Sequence, residues 1–194
     1  MISTSSAPES FRARLSGVED RPGARGLSNA PLIVTAKFDP ETFAILDDLR
    51  RAHFPPERNF IPAHLTLFHA LPGDRLGDVI QTLRSVTARH PACTLAFPSL
   101  RSLGRGVALD VRAPALGAIR QRIGRDFDGE LTAQDTGGFR PHVTIQNKVP
   151  PDVAKRLLSE LSAGFVPWTG QATGVLLWRY LGGPWSLEAE FPFA

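Results

Sequence analysis

Two short segments of the chain, PAHLTL at residues 62–67 and RPHVTI at residues 140–145, read almost alike. Each contains a His-x-Thr triplet in an apolar run that follows a proline. Side chains two positions apart in a β-strand lie on the same face, so His64 and Thr66 share one face and the aliphatic residues beside them share the other. Each strand can therefore bury an aliphatic face and present an imidazole and a hydroxyl together on the opposite face.

The repeated triplet has a structural explanation and a functional one. Either two half-buried strands carry polar residues on an outer face, or the two strands face each other across one small pocket. We favour the pocket, because an ordinary exposed strand has no need of the same pair twice. The pocket would be lined by two imidazoles and two hydroxyls, from His64, Thr66, His142 and Thr144.

Length and composition favour one domain in a reducing compartment. The chain has 194 residues, enough for one domain built from two similar lobes. Residues 1–30 are rich in Ser, Ala, Gly, Pro and Arg and are predicted to be a disordered leader. Residues 31–194 then form a single bilobal domain.

Cys93 is the only cysteine, so no intramolecular disulfide can form.

Charge and hydropathy restrict the partners. The formal net charge is +3, from 22 basic and 19 acidic residues, which favours a small anionic substrate or an RNA end over an extended nucleic acid. No apolar run approaches the ~20 residues that span a bilayer, and no secretory signal begins the chain. We therefore expect a cytoplasmic monomer that does not bind membranes.

Beyond the leader, strand and helix signals alternate in the order β-α-β-α-β-β-α-β-α-β-β, with one His-x-Thr strand in each half. The mixture of hairpins and helices predicts an α+β fold, bilobal, with two mostly antiparallel sheets, flanking helices and pseudo-twofold lobes around a central cleft. The Gly-rich fingerprints of nucleotide-binding folds are absent from the sequence. The predicted strands include 32–38, 93–102, 107–112, 174–180 and 185–193, the predicted helices are 40–53, 74–89, 114–127 and 151–163, and residues 128–139 are predicted to be a loop.

These features resemble the 2H phosphoesterases, which include the RNA 2',3'-cyclic phosphodiesterases historically called 2'-5' RNA ligases. The resemblance rests on both His-x-Thr motifs, their apolar flanks, the Leu-Pro-Gly after the first motif and the Phe-Arg-Pro before the second. It implies the bilobal fold, with the motifs facing each other, and metal-free opening of a 2',3'-cyclic phosphate. RNA ends or small cyclic nucleotides are the implied substrates, and RNA processing is the implied role.

The motifs also make chemical sense by themselves. Breaking a phosphodiester with water needs a base and an acid, and histidine, with a reference pKa of ~6.5, suits both roles. Thr66 and Thr144 are the candidate phosphate-binding residues, because their hydroxyls can donate to the oxygens that gain charge. Similar motifs do not distinguish acid from base; we expect His142 to activate water and His64 to protonate the leaving group.

No metal site or cofactor is expected. Each motif supplies one ligand, and the sequence has no His-x-His or His-Glu-x-x-His pattern. His69 lies at odd spacing from His64, so a regular strand would turn it away from the pocket.

Three further residues are candidates for substrate binding, each with an ordinary alternative. Arg140 shares the face of the second motif and could contact a phosphate, or form a surface ion pair. Gln146 lies two residues beyond Thr144 and could bind a sugar or base, or be a solvated polar residue. Phe68 could stack on a base, or belong to the core. The sequence leaves open which side several hairpin residues face, namely Arg101, Arg105, Trp178, Arg179 and Tyr180.

Two functions therefore remain open. The first is a phosphodiesterase giving a 2'-phosphate, with possible 2'-5' ligation in reverse. The second is a non-catalytic module that binds nucleotides or RNA ends in the same pocket. Turnover of a cyclic phosphate distinguishes them.

Overall fold

A computed structural model describes residues 29–194. The predicted leader lies outside these residues, apart from its last two positions. The strands are β1 (Leu32–Phe38), β2 (Thr66–Leu71), β3 (Cys93–Phe97), β4 (Leu100–Ser102), β5 (Val107–Asp110), β6 (His142–Gln146), β7 (Trp168–Tyr180) and β8 (Trp185–Pro192). The α-helices are α1 (Pro40–His53), α2 (Leu76–Thr87), α3 (Pro114–Asp126), α4 (Ala133–Thr136) and α5 (Pro151–Ala163).

Two antiparallel sheets and their flanking helices form the predicted α+β architecture. The larger sheet has the strand order β2-β1-β7-β3, and β8 also pairs with β7. The smaller sheet has the order β4-β5-β6. The first His-x-Thr motif leads into β2 of the larger sheet, and the second begins β6 of the smaller one. Each sheet therefore brings one motif to the cleft, as the sequence predicts.

Helix α1 begins where the sequence predicts it to begin. The Asp39 carboxylate accepts hydrogen bonds from the backbone N–H groups of Glu41 and Thr42, each at 3.0 Å, and Pro40 occupies the first helical position. A capping acid followed by proline satisfies the free amides and presets the first turn. The helix packs against β6, so it connects the two sheets.

Three segments differ from the prediction by more than a residue or two at an end. The segment 93–102 is two strands in different sheets, with Pro98 and Ser99 between them. Strand β7 begins at Trp168, six residues before the predicted start at Gly174. Its early part contains Gly170, where an added Cβ would lie 2.2 Å from the Thr42 hydroxyl, so this glycine permits close packing of α1. The predicted loop 128–139 contains the short helix α4.

The main hydrophobic core includes Leu65, Leu67, Val143 and Ile145, the aliphatic residues of both motifs. Burying these residues leaves the polar faces of the two motifs for the cleft, as the alternation predicts. None of the helices within residues 29–194 is long and apolar enough to cross a membrane.

Candidate active site

A cavity of about 350 Å³ lies between the two motifs. All four residues of the two His-x-Thr pairs line it: His64, Thr66, His142 and Thr144. His64 precedes the first residue of β2 by two positions, whereas His142 is the first residue of β6. The structure thus brings the two motifs to one polar space.

Both imidazoles are held in the same way. His64 Nδ1 lies 2.8 Å from the carbonyl oxygen of Pro62, and His142 Nδ1 lies 3.0 Å from that of Arg140. Each partner is the carbonyl two residues earlier in the chain. Because a carbonyl can only accept, Nδ1 carries the proton in both rings. In the neutral rings, Nε2 is therefore the basic nitrogen.

The two threonines complete the pair of motifs. Thr66 and Thr144 are partly exposed, and within residues 29–194 neither hydroxyl makes a protein hydrogen bond. Each hydroxyl can therefore donate to an oxygen of a bound anion.

The pKa of each histidine lies below its usual value. Burial, with the nearby Arg50 guanidinium, lowers the pKa of His64 to about 4. Burial is also the main cause for His142, where the Arg101 guanidinium lowers the pKa further while the Arg140 carbonyl partly offsets the shift. Both effects act against the imidazolium form, because it loses hydration and meets a like charge.

Arg50 connects the two motifs, and sequence reasoning did not identify it. Its Nη1 donates to the carbonyl oxygen of Thr144 at 2.8 Å, and its Nε donates to the carbonyl of Ile61, just before the first motif, at 3.0 Å. The residue is only 4% exposed. One feature of the sequence could have indicated that Arg50 is buried. It lies four residues after Leu46 on α1, and that spacing places both side chains on the buried face of the helix.

A β-bulge follows each motif and turns two predicted site residues away. Thr35 pairs with Thr66 but the preceding Val34 pairs with Phe68, so Leu67 is an extra residue on β2. In β6, Ala108 pairs with Thr144 and Val107 pairs with Gln146, so Ile145 is the extra residue there. After each extra residue the alternation of faces is reversed, so the next side chain points into the protein interior instead of into the cavity.

The proposed contacts of Phe68 and Gln146 with a substrate are therefore wrong. Phe68 is fully buried in the core, and Gln146 is 6% exposed; neither lines the cavity. Both lobes have their extra residue directly after the motif threonine. A pseudo-twofold relation between the lobes produces this match.

The first bulge also turns His69 towards the site, contrary to the sequence expectation. His69 lines the cavity, and its Nδ1 lies 3.0 Å from a carboxylate oxygen of Asp135, in α4. Both Asp135 oxygens accept backbone N–H bonds from His69, and one also accepts from Ala70. Burial would raise the pKa of Asp135, but these hydrogen bonds lower it below its usual value.

Three arginines line the same cavity: Arg101, Arg120 and Arg140. Arg101 pairs with Asp110 at 3.1 Å, and Arg120 donates to the carbonyl of Leu67, the bulge residue, at 2.9 Å. The Arg140 side chain lines the cavity and is exposed.

Two tryptophans lie near His64. The Trp185 ring lies 4.9 Å from the His64 ring and lines the polar cavity, and Trp178 lies 6.1 Å from Trp185. Trp178 and His64 also line a neighbouring apolar cavity of about 300 Å³. His64 therefore separates a polar space from an apolar one. Of the hairpin residues whose facing the sequence left open, Arg101 and Trp178 face these spaces, whereas Arg179 pairs with Glu188.

No group of three or more His, Cys, Asp or Glu side chains in the described part of the chain could hold a metal ion. The cavity lining includes three histidines, but Asp135 engages His69 and no carboxylate lines the cavity. The chemistry available among these residues is therefore proton transfer and binding of anions.

Solved structures share this fold. E. coli LigT complexed with 3'-AMP is 16% identical, with a TM-score of 0.59, and the match covers 86% of this chain and 99% of that one. TT0787 of Thermus thermophilus is 15% identical, with a TM-score of 0.60, and the match covers 84% and 97%. No curated protein matches the sequence. The family model of the 2'-5' RNA ligase superfamily matches residues 38–184, more than half of the chain. The chain belongs to this superfamily of 2H phosphoesterases.

Proposed function

We propose that the protein is a metal-independent phosphodiesterase that opens a 2',3'-cyclic phosphate, on an RNA end or a nucleotide, to a 2'-phosphate. The matched geometry of His64 and His142 carries the proposal, because both rings line one cavity and both have Nδ1 tied to a carbonyl. Two imidazoles with Nε2 available can divide the work of base and acid. Membership of a phosphoesterase family supports the same interpretation.

In the proposed reaction a water attacks phosphorus while one imidazole takes a proton from it through Nε2. The bond from phosphorus to the 3'-oxygen breaks, and the other imidazole, in its protonated form, gives its proton to that oxygen. The product has a 2'-phosphate and a free 3'-hydroxyl. Thr66 and Thr144 donate to the non-bridging oxygens as these gain charge. A 5'-hydroxyl in place of water would form a 2'-5' linkage, which is ligation.

The surroundings of the two rings favour His64 as the base and His142 as the acid, opposite to the sequence expectation. Burial and the Arg50 cation act most strongly on His64, whose pKa falls to about 4. A ring that is neutral over most of the pH range has an unprotonated Nε2, which is free to accept a proton. His142 is more exposed to solvent and keeps its proton more readily when an anion binds beside it.

Trp185 supports a nucleotide as the substrate. Its ring lines the polar cavity beside His64. A flat aromatic surface next to a phosphate site can stack on a base without selecting its identity.

The test uses purified protein, a chelator, and 2',3'-cyclic nucleotides with a cyclic-phosphate-ended RNA. We expect turnover in chelator, and losses of about 100-fold or more in kcat for both His64→Ala and His142→Ala with unchanged thermal unfolding. His53→Ala, at the end of α1, is the matched control and keeps full activity. Loss of activity in chelator, or full activity in either site variant, would contradict the proposal. Binding of the nucleotides by wild type without any product would identify a binding module instead.

A further inference from the structure

One carbonyl group beside the second motif accepts two hydrogen bonds. The Arg140 carbonyl oxygen lies 3.0 Å from Nδ1 of His142 and 3.2 Å from Nη2 of Arg101, which is on β4. A carbonyl oxygen has two lone pairs, so the imidazole and the guanidinium can both donate to it. Arg101 therefore holds the group that fixes the His142 ring.

Arg101 is itself held by Asp110, on β5. Its Nη1 lies 3.1 Å from one carboxylate oxygen of Asp110, and the other oxygen accepts from the Ser99 hydroxyl at 3.1 Å. The Nε of Arg101 is buried without a partner, so the guanidinium does not form the two parallel bonds with a carboxylate that arginine commonly makes. It is instead divided between the carboxylate and the Arg140 carbonyl.

His64 has no equivalent of this arrangement. Within residues 29–194, the Pro62 carbonyl accepts a hydrogen bond from His64 Nδ1 alone, and the nearby Arg50 donates to other carbonyls. The two motifs thus hold their rings through the same kind of bond, but only the His142 bond has a guanidinium behind it. This difference points to a task that His142 does not share with His64.

The arrangement suits a group that donates a proton. A general acid must direct its Nε2–H at the leaving oxygen, and a ring fixed through Nδ1 keeps that direction. The charged and titratable groups that face His142 are Arg101, Asp110, His64 and His69. Burial has the largest effect on the pKa of His142; among the neighbouring charges, Arg101 lowers this pKa and Asp110 raises it.

We propose that Arg101, anchored by Asp110, is a positioning residue for the general acid His142, because it fixes the Arg140 carbonyl that directs Nε2 of the ring towards the leaving oxygen. The inference rests on the proposed function, in which His142 is the acid. Arg101 also lines the cavity, so a direct contact with the phosphate is the competing explanation. The ion pair with Asp110 neutralises the guanidinium and favours the positioning role.

The test compares Arg101→Gln with wild type on two substrates. A 2',3'-cyclic nucleotide needs an acid to protonate its leaving oxygen, whereas a nucleoside nitrophenyl phosphodiester does not, because nitrophenolate leaves unprotonated. We expect kcat on the cyclic nucleotide to fall about tenfold with KM within about twofold of wild type, and kcat on the nitrophenyl ester to stay within about twofold. Arg105→Gln, between β4 and β5, is the matched control and keeps full activity on both substrates.

An NMR titration of the imidazoles provides a readout that does not depend on turnover. Arg101→Gln removes a positive charge, so the pKa of His142 should rise, whereas Asp110→Asn removes a negative charge, so this pKa should fall. A site that is merely loosened would regain hydration in both variants, and the pKa would rise in both. Asp110→Asn should also show the same difference between the two substrates, so it replaces Arg101→Gln in the kinetic test if that variant does not fold.

Equal losses of kcat on the two substrates, or a raised KM with unchanged kcat, would place Arg101 on the phosphate and overturn the inference. Full activity of Arg101→Gln on the cyclic nucleotide would overturn it as well, and so would a pKa of His142 that moves in the same direction in both variants. If wild type does not turn over cyclic phosphates but the pKa of His142 moves in opposite directions in the two variants, only the proposed function is contradicted.

Discussion

At the scale of single residues, the site consists of two nearly equivalent imidazoles in unequal surroundings. Both have Nδ1 tied to the carbonyl two residues earlier, so both present Nε2 as the working nitrogen. Their difference comes from outside the motifs. Burial lowers the pKa of both rings, more strongly for His64, and the Arg50 cation adds to this effect at His64 as the Arg101 cation does at His142. In the proposed mechanism, the motifs supply the chemical groups, and the unequal burial of the two rings assigns their tasks.

The different pKa values of His64 and His142 predict how kcat/KM for a 2',3'-cyclic mononucleotide depends on pH. The base must be unprotonated, so activity should fall below the pKa of His64, at about pH 4. The acid must be protonated, so activity should also fall above the pKa of His142, which lies below its usual value. We expect a bell-shaped profile for the free enzyme with its maximum on the acidic side of neutrality. A profile that is flat from weakly acidic to alkaline pH would contradict this assignment.

A substrate with a good leaving group separates acid from base. Nitrophenolate leaves without protonation, so a nucleoside nitrophenyl phosphodiester does not need the general acid. We expect His142→Ala to keep most of its activity on this ester, and His64→Ala to lose about 100-fold. Release of nitrophenolate is followed by absorbance. If His64→Ala instead keeps most of its activity and His142→Ala loses about 100-fold, then His142 is the base and His64 the acid, as expected from the sequence.

At the scale of the elements, the decisive features are the bulges after the two motifs. Alternation with period two correctly predicts the facing of residues 64–67 and 142–145. One residue later it fails in both strands, because an extra residue is inserted into the ladder. Neither β2 nor β6 contains a proline or glycine at its bulge. At the first bulge, the Arg120 guanidinium holds the carbonyl of Leu67, and Asp135 holds the backbone N–H groups of His69 and Ala70.

Asp135→Asn tests the anchoring of the first bulge. The pKa of Asp135 lies below its usual value, so its ionised form stabilises the fold above about pH 4, where the unfolded side chain is also ionised. This contribution is lost as the pH falls through the lowered pKa. We expect Asp135→Asn to lower the free energy of unfolding by about 1–3 kcal/mol at neutral pH, and by less in acid.

Urea unfolding at both pH values measures this difference. Asp128→Asn, on the exposed loop after α3, is the control and should have no effect at either pH. An Asp135→Asn protein as stable as wild type at neutral pH would show that the carboxylate does not anchor the strand.

At the scale of the whole molecule, Arg50 ties the two lobes together at the site. It lies on α1, donates to the carbonyl of Thr144 in the second motif, and donates to that of Ile61 just before the first. The connection holds the polar faces of the two motifs at a fixed separation. A local sequence pattern cannot reveal this contact, because Arg50 and Thr144 are separated by 94 positions in the chain.

Arg50→Gln should therefore affect both stability and chemistry. We expect the free energy of unfolding to fall by about 2–4 kcal/mol, because buried carbonyls lose a charged donor. The pKa of His64 should rise, because a nearby positive charge is removed. Urea unfolding and an NMR titration of the imidazoles measure the two effects.

Arg51→Gln provides the matched comparison. Arg51 is the next residue on α1, and its side chain is 43% exposed and paired with Asp48. Its removal should change stability by less than about 1 kcal/mol and leave the His64 titration unaffected. If the two variants behave alike, Arg50 does not connect the motifs.

The sequence predicts the α+β class and the facing of the two motifs, because periodicity and capping are local signals. The start of α1 at Asp39 and Pro40 is an example of such a signal. The features that the sequence does not predict depend on contacts between residues that lie far apart in the chain. The early part of β7, with Gly170 against Thr42, and the position of His69 against Asp135 both depend on partners far along the chain.

The most direct measurement is a crystal structure of the protein with a nucleoside 2'-phosphate, the product of the proposed reaction. The account predicts one phosphate between the lobes, with Nε2 of His64 and Nε2 of His142 each within hydrogen-bond distance, about 3 Å, of its oxygens. The hydroxyls of Thr66 and Thr144 should contact the same group. A phosphate bound by only one of the two histidines, or bound elsewhere on the molecule, would contradict the account.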